Sequence, residues 1–456
     1  MTARHLGPVI VPEWCGAAGR ALRSERAALE YPDGCAPALR PVVSNFGPPV
    51  GARLRRVSAP SSLRGLWMRV YVPNLLVATG QGAMIPVLVY AAHRVHATPA
   101  VAGLVVALNG VGTMFFDLPA GRIIARLGER NAAWISAVMM GVGLLGCFFA
   151  RSFPLFVGSL LVQAAGWALW SLVRLTYLSR VAPALVRGRA LSLFGGVIRA
   201  GNVIGPFLFI VTVGRSNVDG AFLIYLACVV IGFMWHELAR DRSDPVALLT
   251  KSVQIGTLRI LSENQRVFAT AGVGVLGVSL LRGSRNAIIP LWAAHIGLSA
   301  AQASTIFAFS SLIDLALFYP AGVASDRWGR KFVAIPCMVV LSVGHILVPL
   351  SHAFSTLFLV ALVLGFGNGI GSGIVMTLGA DFTPTVGRSS FLAVWRLVSD
   401  GGTAAGPLMD SGIVAAGAIA LAGPALGLLG VTMAIFVAVH LDESAPKRQR
   451  ELLDGE

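Results

Sequence analysis

Charged residues are scarce in this sequence. They make up 12% of the 456 residues, whereas hydrophobic residues make up 55%. A soluble enzyme needs a charged surface and a disordered chain needs still more charge, so this composition excludes both classes. The mean hydropathy of +0.75 and the repeated apolar runs, each roughly twenty residues long, predict a protein that crosses a membrane many times.

Cysteine is also rare, and the five residues do not show the spacing of a disulfide framework. Three of them lie in apolar segments and two in the polar N-terminal arm: Cys147, Cys228 and Cys337, and Cys15 and Cys35. We expect all five to remain thiols.

Motifs of nucleotide and metal chemistry are absent from the sequence. It has no glycine-rich phosphate-binding loop, no clustered set of metal ligands and no Ser-His-Asp spacing. An ATP-driven transporter is therefore excluded on this chain alone, and neither a metal nor a cofactor is expected. No N-terminal run is apolar enough for a signal peptide.

The apolar segments predict an all-α membrane protein with twelve transmembrane helices in two six-helix halves, residues 67–239 and 266–440. A charged cytoplasmic linker at 240–265 separates the halves, and a charged cytoplasmic tail covers 441–456. Residues 1–66 are predicted to be a disordered basic arm in the cytoplasm. Alternatives for the arm are an organellar transit segment, or translation that begins near Met68. The helices are predicted at about 69–92, 100–123, 131–150, 154–180, 190–213, 220–239, 266–292, 302–323, 332–351, 355–380, 390–414 and 417–440.

Basic residues are distributed unevenly around these helices. Of the 36 Lys and Arg, three fall in segments predicted to lie outside, five lie within helices and 28 lie on the other side. Positive residues are retained on the cytoplasmic side of membrane proteins, so both termini are expected in the cytoplasm and the protein in the cell (inner) membrane. The lipid bilayer, and not nucleic acid, thus explains the net charge of +15.

A charged hairpin at residues 319–332 joins two apolar segments. We expect Gly322 to permit close helix approach, Asp326 to meet a helix N-terminus or an arginine, and Gly329 to form the turn. The basic residues hold the hairpin in the cytoplasm. The alternative is an ordinary basic turn. The spacing Gly-x-x-Ser-Asp-Arg-x-Gly-Arg-Lys is formed by Gly322, Ser325, Asp326, Arg327, Gly329, Arg330 and Lys331.

This hairpin resembles the signature loop of the major facilitator superfamily of transporters, and the resemblance covers about residues 67–440. It implies two pseudo-symmetric halves with a substrate site between them, and transport by alternating access. The equivalent turn of the first half has Ala125 and Glu129 where the family pattern has an acidic and a basic residue. Helix 4 has Val162 where many antiporters of the family carry an arginine. The residues that match in the first-half turn are Gly121, Arg126, Gly128 and Arg130.

An internal repeat supports the two-half organisation. A shift of 201 residues places Pro119-Ala120-Gly121 on Pro320-Ala321-Gly322. The same shift superposes two Gly-x-x-x-Gly-Pro motifs, which are expected to pack helices closely. Their residues are Gly201, Gly205 and Pro206 in helix 5, and Gly402, Gly406 and Pro407 in helix 11.

Ionisable residues inside the predicted helices are functional candidates, because each costs about 2.5–3.5 kcal/mol to insert. The resemblance implies that helix 2 packs on helix 11 and helix 5 on helix 8. Asp117 is then expected to pair with Arg396, with Asp400 on the same face of helix 11. Arg199 is expected to pair with Asp314. Such pairs can close the cytoplasmic side, or they can be permanent and only fix helix register. Each of the three carboxylates is also a candidate proton carrier.

Arg282 and Arg285 lie on helix 7, which the resemblance implies lines the pathway together with helices 1, 4 and 10. Two arginines that face the cavity favour an anionic substrate, unless they pair with a carboxylate elsewhere. Arg174 can instead be an anchor at the inner end of helix 4. His345 in helix 9 is expected to serve packing in preference to proton relay. The other polar residues expected near the pathway are Gln81, Arg174 and Asn368.

The sequence therefore predicts a monomeric secondary active transporter of a small organic molecule, and not an enzyme. Proton-coupled efflux is the first hypothesis, because helix 5 carries the Gly-x-x-x-Gly-Pro motif and acidic residues are buried. Uptake or facilitated transport of an organic anion is the second, and it rests on Arg282 and Arg285. A membrane-embedded enzyme or a non-transporting receptor belongs to another class. The enzyme would need His or Asp pairs clustered at one membrane face, which the sequence does not show.

Overall fold

The computed structural model describes residues 66–182, 187–213, 217–239, 257–384, 387–441 and 443. Most of this part of the chain is helical. A helical stretch at Pro99–Phe149 contains two helices, α2 before Gly128 and α3 after it. The short helix Thr257–Glu263 precedes α7. The other long helices are α1 (Trp67–Arg94), α4 (Phe153–Val181), α5 (Arg187–Thr212), α6 (Gly220–Ala239), α7 (Gln265–His295), α8 (Ala300–Trp328), α9 (Arg330–Leu350), α10 (Phe354–Asp381), α11 (Arg388–Ala415) and α12 (Ile419–His440).

The expected all-α fold with twelve membrane helices is confirmed. Eleven candidate spans are long and apolar enough to cross a membrane, and α11 is the long helix without one. Arg396, Asp400 and Asp410 lower the apolarity of α11, although its 28 residues suffice to cross a bilayer. Residues 1–65 of the predicted arm, the linker at 240–256 and most of the tail lie outside the described residues.

The two halves have the same helix caps and glycine turns at the offset of 201 residues found in the sequence. The Thr98 side chain caps the start of α2, and Ser299 caps the start of α8 in a capping box with Gln302. Gly128 turns the chain between α2 and α3 with φ 79°, and Gly329 does so between α8 and α9 with φ 104°. Glycine adopts such positive φ without the steric cost of a Cβ atom.

Close helix packing inside each half depends on glycine. A Cβ atom on Gly201 would lie 2.6 Å from the backbone of Ala78, so α5 and α1 approach closely there. A Cβ atom on Gly402 would lie 2.6 Å from the Leu276 carbonyl oxygen, so α11 approaches α7 in the same way. Two apolar cores fill the halves, and the core of the first half also includes Ala287 and Leu291 of α7.

The halves also contact each other near the predicted outer ends of the helices. The Tyr90 hydroxyl donates to the Leu298 carbonyl oxygen at 3.0 Å, and the Ser411 hydroxyl donates to the Ala100 carbonyl oxygen. These bonds join α1 to the turn before α8, and α11 to the start of α2. Further pairs join the halves closer to the other ends, so the space between them is closed in from both directions.

Candidate functional site

A cavity of about 200 Å³ lies between the two halves. It is lined by α1, α2 and α4 on one side and by α7 and α11 on the other. Asp400 is the charged residue among the described residues that line it. A ligand therefore meets amide and hydroxyl groups, one carboxylate and an apolar wall that includes the Trp167 ring. The polar lining residues are Gln81, Asn109, Thr113, Asn286, Asp400 and Thr403.

Gln81 is held at the cavity by a buried amide network. The Gln163 Nε2 group of α4 donates to the Gln81 Oε1 atom at 3.3 Å and to the Tyr225 hydroxyl of α6 at 3.1 Å. Because its oxygen is occupied, Gln81 has its amide nitrogen left to donate to a ligand. The structure thus places Gln81 at the predicted pathway.

Arg396 bridges two carboxylates beside the cavity. Its Nη2 atom lies 3.0 Å from the Asp117 Oδ2 atom of α2, and its Nε atom donates to the Asp400 Oδ2 atom at 3.3 Å. One guanidinium group therefore holds the two halves together and also contacts the charged lining residue. Two carboxylates share one cation, so the group carries a net charge of −1 when both are ionised.

Arg199 and Asp314 form the second pair across the halves. The Arg199 Nη1 atom lies 2.5 Å and 2.6 Å from the two Asp314 oxygens, and the Ser372 hydroxyl donates to Oδ1 at 3.1 Å. Asp314 is buried at the middle of α8. It lies deeper than the sequence suggested, because α8 continues to Trp328 instead of ending near residue 323.

Arg282 and Arg285 are not among the residues that line this cavity. Arg282 donates to the Gly371 carbonyl oxygen at 2.5 Å, and Arg285 donates to the Ser310 hydroxyl at 2.8 Å. Both side chains point towards α8 and α10, because Gly283 and Asn286 occupy the face of α7 that lines the cavity.

Asn368 and Arg174 also lie away from the lining residues. Asn368 is buried in α10, and its carbonyl oxygen accepts from Arg282 at 3.4 Å. Arg174 is buried over the Trp170 ring, 4.1 Å from its centroid, and contacts the His236 Nδ1 atom at 3.0 Å. Arg174 thus lies off the described cavity, at a contact between α4 and α6.

Arg330 is the centre of the charged hairpin. Its guanidinium group donates to the Asp326 carboxylate, to the Asp381 carboxylate at the end of α10 and to the Ser325 carbonyl oxygen, each at 2.8 Å. Asp326 thus meets an arginine, as expected. The expectation of close helix approach at Gly322 is wrong, because a Cβ atom there would have no neighbour within 4 Å.

The remaining hairpin residues contact one another and the tail. Arg327 lies over the Trp328 ring, and the Lys331 Nζ atom donates to the Ala438 carbonyl oxygen at 3.0 Å. The Glu443 carboxylate accepts from the backbone N–H groups of Arg330 and Lys331 at 2.8 Å and 3.1 Å. It stabilises the N-terminus of α9, a contact that sequence reasoning missed because no local spacing connects a tail residue to α9.

The first-half hairpin has the same ion pair with the charges exchanged. Glu129 pairs with Arg180 at the end of α4 at 2.6 Å, and the 201-residue shift turns this pair into Arg330 and Asp381. The acidic residue at Glu129, which departed from the family pattern, is therefore matched by a basic partner. Gly121 has only the Leu172 side chain near, at 4.0 Å, and Arg126 and Arg130 are exposed.

Comparison with known proteins agrees with this architecture. The sequence model of the Major Facilitator Superfamily matches residues 72–281 and 271–454. The chain is 25% identical over 416 residues to the uncharacterized MFS-type transporter YdeG of Bacillus subtilis (strain 168), covering 83% of this chain and 94% of the relative. It is 20% identical to the staphylopine export protein of Staphylococcus aureus (strain Mu50 / ATCC 700699), covering 75% and 89%.

A solved structure shows the same fold. The crystal structure of a D-xylose-proton symporter matches with a TM-score of 0.65 and 20% identity, covering 84% of this chain and 99% of the symporter. The chain is thus a multi-pass membrane protein with the fold of a secondary transporter. It belongs to the Major Facilitator Superfamily.

Proposed function

We propose that this transporter exports a small organic molecule in exchange for protons. It would act as a monomer in the cell (inner) membrane by alternating access, with both termini in the cytoplasm. The observation that supports this most is the position of Asp400. It is the charged residue of the described cavity lining, and it shares Arg396 with Asp117 across the two halves.

Exchange follows from competition for one carboxylate. Ionised Asp400 attracts a cationic or strongly hydrogen-bonding group of the substrate, and protonated Asp400 does not. Gain or loss of a proton on a carboxylate changes the charge of the group. A proton that arrives from outside would therefore displace the substrate there.

Opening towards the cytoplasm would require the two pairs across the halves to separate. Arg396 with Asp117 joins α11 to α2, and Arg199 with Asp314 joins α8 to α5. When a substrate draws Asp400 away, Arg396 keeps its contact with Asp117, and the strength of the pair between Arg396 and Asp117 changes. The name of the staphylopine export protein and the Gly-x-x-x-Gly-Pro motif of α5 support the outward direction.

Transport of an organic anion is the second candidate. Arg199, Arg282 and Arg285 lie close enough for their charges to interact with one another and with the Asp314 carboxylate. This group has an excess of positive charge inside the membrane. An anion could compensate that excess if α7 turned Arg282 or Arg285 towards the cavity.

Transport into sealed proteoliposomes tests both candidates. Cationic, neutral and anionic compounds are supplied with and without a pH gradient, and D400N is compared with the unmodified chain. We expect a cationic or neutral compound to accumulate only with the gradient, and D400N to lose more than tenfold of that accumulation. R259A is the control, because Arg259 lies in an exposed pair with Glu263 far from the cavity. Accumulation without a gradient would refute proton coupling, and accumulation of anions alone would favour the second candidate.

A further inference from the structure

Asp410 is a carboxylate without a counter-charge inside the membrane. It lies on α11, its exposed fraction is 0%, and neither of its oxygens has a hydrogen-bond partner among the described residues. An unpaired carboxylate anion in such a place would cost far more than the neutral acid. Asp410 lies on the same helix as Asp400, and it is not among the candidate proton carriers Asp117, Asp314 and Asp400.

A polar chain begins beside this carboxyl group. The Ser284 hydroxyl of α7 is the neighbouring polar group, because Gly406, one turn before Asp410, packs on the Ser284 backbone. On its other side, the same hydroxyl lies 3.0 Å from the His345 Nε2 atom of α9. The His345 Nδ1 atom lies 2.8 Å from the Leu341 carbonyl oxygen, and His345 and Ser284 are both fully buried.

These contacts fix the direction of the hydrogen bonds. A carbonyl oxygen only accepts, so the His345 Nδ1 atom carries a hydrogen and donates it to Leu341. The neutral ring then accepts at Nε2 from the Ser284 hydroxyl. The Ser284 oxygen then keeps a lone pair, which can accept a hydrogen from Asp410 when the two groups come into contact.

We propose that Asp410, Ser284 and His345 form a proton-binding site in the C-terminal half, separate from the Asp400 group. The proton rests on Asp410 while α11 and α7 are packed together. When it moves, the Asp410 O–H bond breaks as a new O–H bond forms on Ser284, and the former Ser284 hydrogen passes to the His345 Nε2 atom. The neutral pair becomes a carboxylate and an imidazolium, and no other reactant is needed.

Helix packing would connect this site to conformational change. Gly406 lies one turn before Asp410, and a Cβ atom there would clash with the backbone of Leu280 and Ser284. α11 is therefore packed tightly on α7 beside the carboxyl group, and water is excluded. An ionised Asp410 needs hydration, so we expect release of the proton to accompany separation of α11 from α7.

No other described group neutralises Asp410. Arg285 follows Ser284 on α7, but its side chain is bonded to Ser310 of α8. Among the side chains that the structure describes, the helices around the cluster carry these charged or titratable groups besides His345 and the thiol of Cys337: Arg266, Arg282, Arg285 and His295 of α7, Asp117, Arg122 and Arg126 of α2, Arg330 and Lys331 of α9, Arg396 and Asp400 of α11 and His440 of α12. None forms an ion pair with Asp410.

Infrared spectroscopy of the purified full chain at neutral pH tests the site directly. A buried neutral carboxylic acid has a C=O stretching band that a carboxylate lacks. We expect D410N to remove one such band, and D400N, the matched control on the same helix, to retain it. S284A should shift the band while Asp410 is still present, because the acid loses its polar neighbour. This second variant decides the matter if D410N does not fold.

The outcomes separate this site from the proposed export. A band that neither D410N nor S284A alters would overturn the proton-binding site. A band that both variants alter, in a chain that shows no gradient-driven accumulation, would leave the site standing and reject proton-coupled export. A role of the site in coupling rests on the proposed function, and it further requires D410N to lose gradient-driven accumulation while retaining exchange without a gradient.

Discussion

At the scale of single residues, the free-energy cost of burying a charge decides which side chains affect stability most. Arg199 and Asp314 contact each other with both carboxylate oxygens engaged, at the middle of a membrane helix. Removing one partner from a buried pair costs about 3–5 kcal/mol, because the other charge is left without compensation. An exposed pair of the same composition contributes little.

This contrast gives a prediction for the pair between α5 and α8. R199A should lower the midpoint temperature of unfolding and abolish most transport, whereas R199D combined with D314R should recover part of both. R259A removes an arginine from the exposed pair with Glu263 and should leave both unchanged. Unfolding in detergent and uptake in proteoliposomes are the measurements. If the double exchange were worse than R199A, the contact itself would not be what stabilises the two halves.

Charged residues inside membrane helices could be found from sequence, but their directions could not. Asp117, Arg199, Asp314 and Arg396 are recognisable in the sequence as charged residues within apolar runs. The structure brings them into two pairs. That Arg282 contacts α10 and not the described cavity lining could not be predicted, because a position within a helix does not say which neighbour its face meets until the helices are packed.

At the scale of helices, glycine decides how closely α7 and α11 pack. A Cβ atom on Gly406 would overlap the backbone of α7 at Leu280 and Ser284. A Cβ atom on Gly412 of the same helix would meet nothing within 4 Å. The two positions therefore form a matched pair for one substitution.

We expect G406A to destabilise the protein and G412A to be neutral or stabilising. Alanine is favoured over glycine in a helix interior by about 0.5–1 kcal/mol, so only the clash can reverse the sign at Gly406. Thermal unfolding of both variants in one detergent measures the difference. Equal midpoints would mean that α7 and α11 are not held at this distance in solution.

In the two hairpins, the glycine turns could be predicted from the sequence, but the ion pairs could not. The positive φ values of Gly128 and Gly329 were foreseeable, since each glycine stands between two apolar runs in a charged segment. The exchange of charges between Glu129 with Arg180 and Arg330 with Asp381 was not foreseeable. Each partner lies 51 residues away along the chain, at the end of another helix.

At the scale of the whole molecule, the repeat made the fold predictable. One offset of 201 residues aligns the caps Thr98 and Ser299 as well as the turns Gly128 and Gly329. A sequence that repeats its turns at one offset also repeats its helix lengths. The six apolar runs of the first half therefore recur in the second half, which gives twelve helices. The cavity did not follow, because it lies between the halves and depends on how they face each other.

The number of helices and the basic residues together predict the orientation. Twelve crossings place the start of α1 and the end of α12 on one side of the membrane. The sequence puts 28 of the 36 basic residues on that side and three on the other. One of those three, Arg94, forms an ion pair with Asp219, so the outer side has still less free positive charge.

Reporter fusions decide this orientation. A reporter that is active only in the cytoplasm should be active after residue 440 and silent after residue 151, between α3 and α4. A reporter that is active only outside should give the reverse, which controls for expression of each fusion. Activity of the outer reporter after residue 440 would contradict the orientation. The hairpin of Arg330 would then face outwards, and the pairs Asp117–Arg396 and Arg199–Asp314 could no longer be assigned to closure of the cytoplasmic side.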